Sequence, residues 1–469
     1  MQKEVVDELY SNYEISKLFM PFFNKKPTSL LIRGDPGVGK TTLALELLRL
    51  VKNYYKPLYI STRVSLEKLR IQYPWITNII KEEDIFSSDK FDKSGAIDMR
   101  LSTAKSLLEV VINTIIDNKN TFIILDSWDS LAKECTYEER IKMEKSMVTI
   151  ADANDGFILF IGEEPDKNTT AYITDAIISL SVNKKNGFAI RNMNIDKMRG
   201  VAVEYKTRLY TLLDTHFVLL PSKQELSFSD KVYDANLKDV STGNASLDNV
   251  LNDLNSDDGI TILIEISSNI DRKVISILLS SFVIHNLKKK RHSFIITAPN
   301  ARVSNILKYI KPFCSDEELR NLTFFTYVKD EKSKLYNVIR FEGFDYSKNI
   351  GHIFINYYID KSYNVKHPII MTYDMGIREL WSPDNTDELI KITNSLVRLA
   401  KEHGDILILL TRPHSKTLNY AKNICDIYMK MWIENNVPTL WIRRPERGLY
   451  SFIYDGNITK NYYELIKLL

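Results

Sequence analysis

Glycine is scarce in this chain, with 16 residues in 469, against the ~7% usual in proteins. That scarcity excludes collagen-like and linker-like sequence and makes any local concentration of glycine informative. Cysteine is scarcer still. Cys135, Cys314 and Cys425 stand far apart, without metal-ligand spacing, so a reduced, cytoplasmic setting is expected. No uninterrupted run of 18 apolar residues occurs, and residues 1–26 lack the apolar stretch of a signal peptide, so no membrane insertion is expected. A surplus of one charge is also missing. The 63 basic and 60 acidic side chains leave a net +3, too balanced to argue for nucleic acid by charge. What is present is 44% apolar and 26% charged residues, a globular composition long enough for two or three domains.

Three of the few glycines fall within eight residues, Gly34-Asp35-Pro36-Gly37-Val38-Gly39-Lys40-Thr41. This is a complete G-x-x-x-x-G-K-[ST] loop. Ser29-Leu30-Leu31-Ile32-Arg33 before it reads as a buried strand, and Thr42 to Leu48 after it reads as a helix. Glycines let the backbone curl so that successive N–H groups face phosphates, and the helix start adds partial positive charge. Lys40 can reach the β- and γ-phosphates, and the Thr41 hydroxyl can hold Mg²⁺. The eight loop residues and Thr42 are the expected cofactor-binding set, with ATP and Mg²⁺ as cofactors. Nothing in the residues separates adenine from guanine.

Strand and helix signals then alternate, as a parallel sheet with crossover helices requires. Thr121-Phe122-Ile123-Ile124-Leu125-Asp126-Ser127 is an apolar strand ending in an acid. About 85 residues after a phosphate loop, Asp126 is expected to help hold Mg²⁺ together with Thr41. Phe157 to Ile161 is another strand, ending at Gly162-Glu163-Glu164.

The chain also echoes itself. Arg63-Val64-Ser65 recurs as Arg302-Val303-Ser304, Asp126 as Asp374, Asp175 as Asp426, and Arg199-Gly200 as Arg447-Gly448, at offsets of 239, 248, 251 and 248. Four echoes in one order argue for two copies of one domain. The expected organisation is an ATP-binding domain over 1–222, a linker over 223–237 and a second copy over 238–469. In that copy the loop positions hold Ile266-Ser267-Ser268-Asn269-Ile270-Asp271-Arg272-Lys273. A β-branched residue resists positive φ, and a carboxylate repels phosphate, so this copy is expected to be a pseudo-ATPase.

The order of phosphate loop, STRV-type strand end, LDSWDS and Lys197-Met198-Arg199-Gly200 resembles the RecA/KaiC branch of P-loop ATPases. Ser241-Thr242-Gly243-Asn244-Ala245-Ser246-Leu247-Asp248 resembles the opening of a KaiC-type domain. Within that group, Ile60 to Leu69 followed by Tyr73-Pro74-Trp75 resembles the archaeal GvpD-like proteins, regulators related to the gas-vesicle repressor. The resemblance implies an α/β fold of tandem RecA-like domains with mainly parallel sheets. It implies that Lys197 and Arg199 reach the nucleotide of a neighbouring copy, so self-association is expected. KaiC-type ATPases carry paired glutamates after the strand that follows the loop helix, where this chain has Thr62-Arg63. An arginine cannot serve as a base, so hydrolysis is expected to be slow or served by Glu163 or Glu164. The expected catalytic set is therefore Lys40, Asp126, Glu163 and Glu164. Two functions follow: a regulatory switch whose nucleotide state controls assembly or binding of a protein partner, or a RecA-like accessory ATPase of DNA recombination or repair. The charge balance favours the first.

Overall fold

Apolar residues at every position of a strand call for cover on both faces, and the first half of the chain supplies it. The structure is a computed structural model that describes residues 2–61, 65–81, 84–87, 104–133, 135–163, 169–228, 231–252, 254, 258–297, 301–327, 334–340, 350–381, 385–456, 459 and 461–468. Strands Ser29–Gly34 (β1), Lys56–Ser61 (β2), Ile85–Ser87 (β3), Thr121–Asp126 (β4) and Phe157–Gly162 (β5) are joined by Ala176–Lys185 (β6), Phe188–Met198 (β7), Thr207–Leu213 (β8) and His216–Leu219 (β9). They form one sheet in the order β3-β2-β4-β5-β1-β6-β7-β8-β9. Pairing is parallel from β3 to β6 and antiparallel from β6 to β9.

Alternate residues serve the two faces. Leu30, Ile32, Ile124 and Leu159 pack with Phe19 and Phe22 of the helix Gln2–Phe23 and with Leu43 and Leu47 of the helix Lys40–Val51. Their neighbours Leu31, Ile123, Leu125 and Phe160 pack with Val111 and Ile115 of Ala104–Asp117 and with Met143 and Met147 of Tyr137–Ala153. Each fully buried Leu, Ile or Phe contributes about 1.5–3 kcal/mol, so the parallel core is the anchor against which the phosphate loop is set.

The second half repeats the plan. Its strands are Ile260–Ile266 (β10), Ser293–Ile296 (β11), Leu322–Thr326 (β12), Asn337–Arg340 (β13), Ile370–Asp374 (β14), Ile406–Thr411 (β15), Ile427–Glu434 (β16), Val437–Arg444 (β17), Glu446–Ile453 (β18) and Glu464–Lys467 (β19). Their order is β13-β12-β11-β14-β15-β10-β16-β17-β18-β19. With β13 as an added edge, every strand of the first sheet has a counterpart in the same place. Register makes the match residue by residue. Gly34 lies opposite Leu180 and Ile266 opposite Met431, while Asp126 lies opposite Ile161 and Asp374 opposite Leu410.

The Asp175/Asp426 echo has a structural reason. Asp175 accepts from Thr28 N at 2.9 Å, and Asp426 accepts from Thr261 N at 2.8 Å, each fixing the start of the central strand. The Arg199/Arg447 echo is out of register, since Arg447 lies within β18, whereas Arg199 follows β7, whose counterpart is β17. The chain divides into two compact units, Met1–Ser222 and Lys223–Lys467. Residues expected as linker are tied into the second: Gln224 Nε2 donates to Phe452 O at 3.2 Å, and Lys231 Nζ donates to Asn461 O at 2.7 Å. Arg63 and its neighbours Thr62 and Val64 lie outside the described residues. Among the described residues no helix is long and apolar enough to cross a membrane.

Candidate nucleotide-binding site

The phosphate loop begins where β1 ends. A Cβ at Gly34 would lie 2.2 Å from Leu180 O of β6, so only glycine permits that closeness. Gly37 and Gly39 have φ of 80° and 98°, the left-handed region that L side chains resist. Gly39 is the N-cap of the helix Lys40–Val51, and a Cβ there would meet Leu212 at 2.9 Å. Left-handed turns at a helix start form a concave nest of N–H groups suited to an anion. Lys40 is buried, and its Nζ donates to Gly34 O at 2.6 Å and Asp35 O at 2.9 Å, holding the loop curled around the ammonium.

Thr41 and Asp126, far apart in sequence, meet in this site. Thr41 Oγ1 donates to Asp126 Oδ2 at 2.6 Å, and the Tyr59 hydroxyl donates to the same oxygen at 2.7 Å. Burial, then the adjacent Asp126 charge, push the Tyr59 phenol well above its ordinary pKa, so it stays a donor. A hydroxyl beside a carboxylate at the foot of an anion nest is the donor set a phosphate-bound divalent cation requires. The residues present fit that group.

Asp129, from the same LDSWDS segment, braces the end of β5. It accepts from Glu163 N at 2.6 Å and from Arg140 Nη2 at 2.7 Å. Arg140 Nε also donates to buried Glu144 at 2.9 Å, which accepts from Trp128 Nε1 and Thr170 Oγ1. Glu163 is thus fixed through its backbone just beyond β5, while Glu164 lies outside the described residues.

Residues 18–196 match the family described as GvpD gas vesicle protein, P-loop domain. The first unit carries a GvpD-like P-loop domain. Two relatives from Halobacterium salinarum agree. Protein GvpD2 is 26% identical over 224 residues, covering 45% of this chain and 45% of that protein. Protein GvpD1 is 24% identical over 249 residues, covering 51% of this chain and 44% of that protein. The chain spans a little under half the length of these relatives. A P-loop domain of this kind implies nucleotide binding.

The Tyr73-Pro74-Trp75 segment packs on the loop helix of the GvpD-like domain. The Tyr73 hydroxyl is 3.0 Å from Thr42 Oγ1. Trp75 stacks on His216 at 5.0 Å, and His216 Nδ1 lies 2.7 Å from buried Glu46 of the same helix.

Lys197 and Arg199 sit elsewhere. Register places Leu30 beside Ala176 and Ala176 beside Met198, which is the start of β1. The phosphate loop leaves the other end of that strand, four residues on, or about 13 Å at the usual strand rise. Lys197 Nζ donates to Ala171 O at 3.3 Å and to Thr174 O, capping the carbonyls at the end of the helix Thr169–Ile173. Its register counterpart is Arg444, opposite Tyr428 as Lys197 is opposite Ile177. Arg444 donates to Lys422 O at 2.7 Å and Cys425 O at 3.0 Å, the matching carbonyls of the second unit. Arg199 is 61% exposed and pairs with Asp175 at 3.1 Å.

Sequence reasoning missed the groups that steady the loop and Asp126 from beside them. Tyr59 carried a signal: a tyrosine inside an apolar strand must find a hydrogen-bond partner. Tyr210 donates to Val38 O at 2.5 Å, and Arg191 Nη1 donates to Gly37 O at 3.4 Å. Both come from the antiparallel extension of the sheet, and no local pattern links them to the loop.

In the second unit the loop from Ile266 to Arg272 has the same length as that from Gly34 to Lys40, but none of its residues has positive φ. Asp271 replaces Gly39 as helix N-cap and accepts from Lys273 N at 2.8 Å. Arg412 stands at the register position after β15 that Glu163 holds after β5, and pairs with Asp374 at 3.4 Å.

Proposed function

We propose that the GvpD-like domain is a Mg²⁺- and ATP-dependent regulatory switch of slow turnover, and that its nucleotide state governs self-association or binding of a protein partner in gas-vesicle control. The pairing of Thr41 with Asp126 below a glycine-formed nest carries this reading. Lys40 would exchange its bonds to Gly34 O and Asp35 O for phosphate oxygens, and Thr41 and Asp126 would hold the cation. Mg²⁺, when bound, withdraws charge from the phosphates. Slow turnover is favoured because Thr62-Arg63 stand where related ATPases have glutamates. Glu163, whose backbone N–H is held by Asp129, is the described member of the glutamate pair that follows β5.

Of the two cations assigned a role toward a neighbouring copy, Arg199 is the better candidate. Lys197 is committed to carbonyls of its own chain by a cap that recurs at Arg444, where no phosphate loop exists. Arg199 is exposed and, among the described residues, held by one ion pair. The second unit, as a pseudo-ATPase, would supply surface instead of a second nucleotide site. A cytoplasmic location fits this reading.

The experiment is sedimentation of the full chain with Mg²⁺ and a non-hydrolysable ATP analogue, a GTP analogue, or none, each with and without duplex DNA. Nucleotide that binds the assembled form better must shift the population toward assembly. Arg199→Ala should weaken that shift more than Lys197→Ala, with affinity for the analogue in the monomer unchanged. A chain that stays monomeric in every nucleotide state refutes the assembly role, and assembly that requires DNA favours the recombination reading instead.

A further inference from the structure

The second unit holds a cavity of about 310 Å³ at the carboxyl ends of β10, β11, β14 and β15. That is where open α/β sheets bind ligands, and where the first unit has its phosphate loop. Its volume is at the lower end of small-molecule pockets. The lining includes Ile270, Ile275, Leu279, Val283, Ile296 and Ile306, a wall that phosphate would not solvate against.

Of the charged groups in the lining, two are paired with each other. Asp374 is paired with Arg412 and accepts from Ile377 N at 3.0 Å. A guanidinium therefore lies against the carboxylate that corresponds to Asp126, and a divalent cation there would be repelled. The Asp271 carboxylate caps the helix start, so the N–H of Lys273 is already satisfied. Lys273, the register counterpart of Thr41, turns elsewhere, with its ammonium 4.8 Å from the Tyr454 ring. One charge in the lining is left over. Arg272, which takes the place of Lys40, is exposed and has no hydrogen bond or ion pair among the described residues.

An apolar chamber with a single uncompensated cation at its edge selects a small apolar monoanion. We propose that the former phosphate site of the second unit is a binding pocket for a small aliphatic or aromatic carboxylate, its tail among the isoleucines and its head on Arg272. This rests on the reading that the second loop no longer binds nucleotide. The exchange is physically economical: the fold keeps the cavity that its strand ends create, while Ile266 and Asp271 convert its specificity from phosphate to hydrocarbon.

The test is calorimetric titration of the full chain with sodium octanoate, with 1-octanol and octylamine as neutral and cationic controls. Octanoate should bind once per chain and more tightly than either control. Arg272→Gln should weaken octanoate at least fivefold and octanol less than twofold. Ile275→Trp, which fills the cavity, should abolish binding. Ser276→Leu, at a partly exposed lining position, should weaken it severalfold and serves if the larger replacement misfolds, with thermal unfolding checking both. Octanoate binding that is absent, does not saturate, or ignores both fillers overturns the proposal, as does tighter binding of octylamine. Lys40→Ala separates the two readings. Loss of ATP binding with octanoate binding retained supports both, and loss of ATP binding with no octanoate binding overturns the pocket alone. ATP binding that survives Lys40→Ala and is displaced by octanoate overturns the reading of the second loop and returns the cavity to nucleotide.

Discussion

Gly34 and Ile266 end equivalent strands, and Asp126 and Asp374 end another equivalent pair, yet the loops that begin at Gly34 and Ile266 share no residue at any of their eight positions. In the first unit, two left-handed glycines open the loop, and Asp126 gathers the hydroxyls of Thr41 and Tyr59. In the second, a loop of the same length has no positive φ, its cap is a carboxylate, and Asp374 faces a guanidinium. The comparison separates what a fold requires from what a site requires. The aspartates at Asp175 and Asp426 and the capping cations Lys197 and Arg444 persist in both units because both sheets need them. The glycines persist only where an anion nest is built.

The largest expected effect would test that separation directly. Lys40→Ala in the full chain should reduce Mg·ATP affinity at least ~100-fold, because charge-assisted phosphate contacts are the strong ones. The second unit should not compensate. Equilibrium binding with a fluorescent ATP analogue checks it, and residual micromolar affinity would mean that the second loop still works.

Next comes the loop backbone. Gly39→Ala forces an L side chain to φ near 98° with a contact of 2.9 Å to Leu212. The cost should be about 2–3 kcal/mol of stability of the first unit, combining backbone strain with overpacking, seen in chemical denaturation. At the equivalent position, Asp271→Gly loses only a cap, worth about 1 kcal/mol or less, and should not create ATP binding. If the two substitutions cost the same, the loops differ less than their backbones indicate.

Much of this contrast was legible in the residues. The motif from Gly34 to Thr41 marks a phosphate loop, and an isoleucine and an aspartate at glycine positions argue against a nest, so the contrast between a loop with left-handed glycines and one without positive φ could be read without coordinates. An acid closing an apolar strand can simply cap the next turn, so Asp126 was legible only through its spacing of about 85 residues after the phosphate loop, and the structure sets it 2.6 Å from Thr41. The expected α/β architecture with mainly parallel sheets is what the strand orders show. Pairings between distant strands were not legible. Tyr210 and Arg191 reach the loop from 172 and 154 residues away, and only the register of β6 to β8 brings them there. The same blindness made Arg447 look like the echo of Arg199, when an offset of one strand separates them.

A smaller effect concerns the ion pair that stands where the second unit would have held a cation. Arg412→Met should cost about 1–3 kcal/mol, less than a fully buried pair, because Arg412 is 32% exposed. Burial, the largest influence, already raises the Asp374 carboxyl above its ordinary value, and Arg412 opposes that shift. Removing Arg412 raises it further, so the folded state takes up a proton more readily than the unfolded chain. Stability from such a group is present below its unfolded pKa and fades as pH rises through the folded one. The deficit of Arg412→Met relative to the parent should therefore be largest near neutral pH and shrink on acidification. Urea denaturation at two pH values decides it, and a deficit independent of pH would leave the pair no electrostatic role.

The smallest effect belongs to Tyr59, whose hydroxyl shares one oxygen of Asp126 with Thr41. Tyr59→Phe keeps the buried ring and removes one donor. A neutral donor to a charged acceptor contributes about 1.5–3 kcal/mol at most, but here Thr41 remains on the same oxygen, so the stability loss should be nearer ~1 kcal/mol. With one tether fewer, the carboxylate loses part of its fixed orientation toward the cation, and the Mg²⁺ concentration for half-maximal ATP binding should rise about threefold. ATP affinity at saturating Mg²⁺ should be unchanged, since Tyr59 makes no bond to the loop itself among those described. The second unit provides the control. Tyr373, beside Asp374 in β14, is also buried, and Tyr373→Phe should leave the Mg²⁺ requirement of the chain where it was. An unchanged Mg²⁺ requirement in Tyr59→Phe would reduce that hydroxyl to a packing partner and leave the positioning of Asp126 to its other contacts, Thr41 among them.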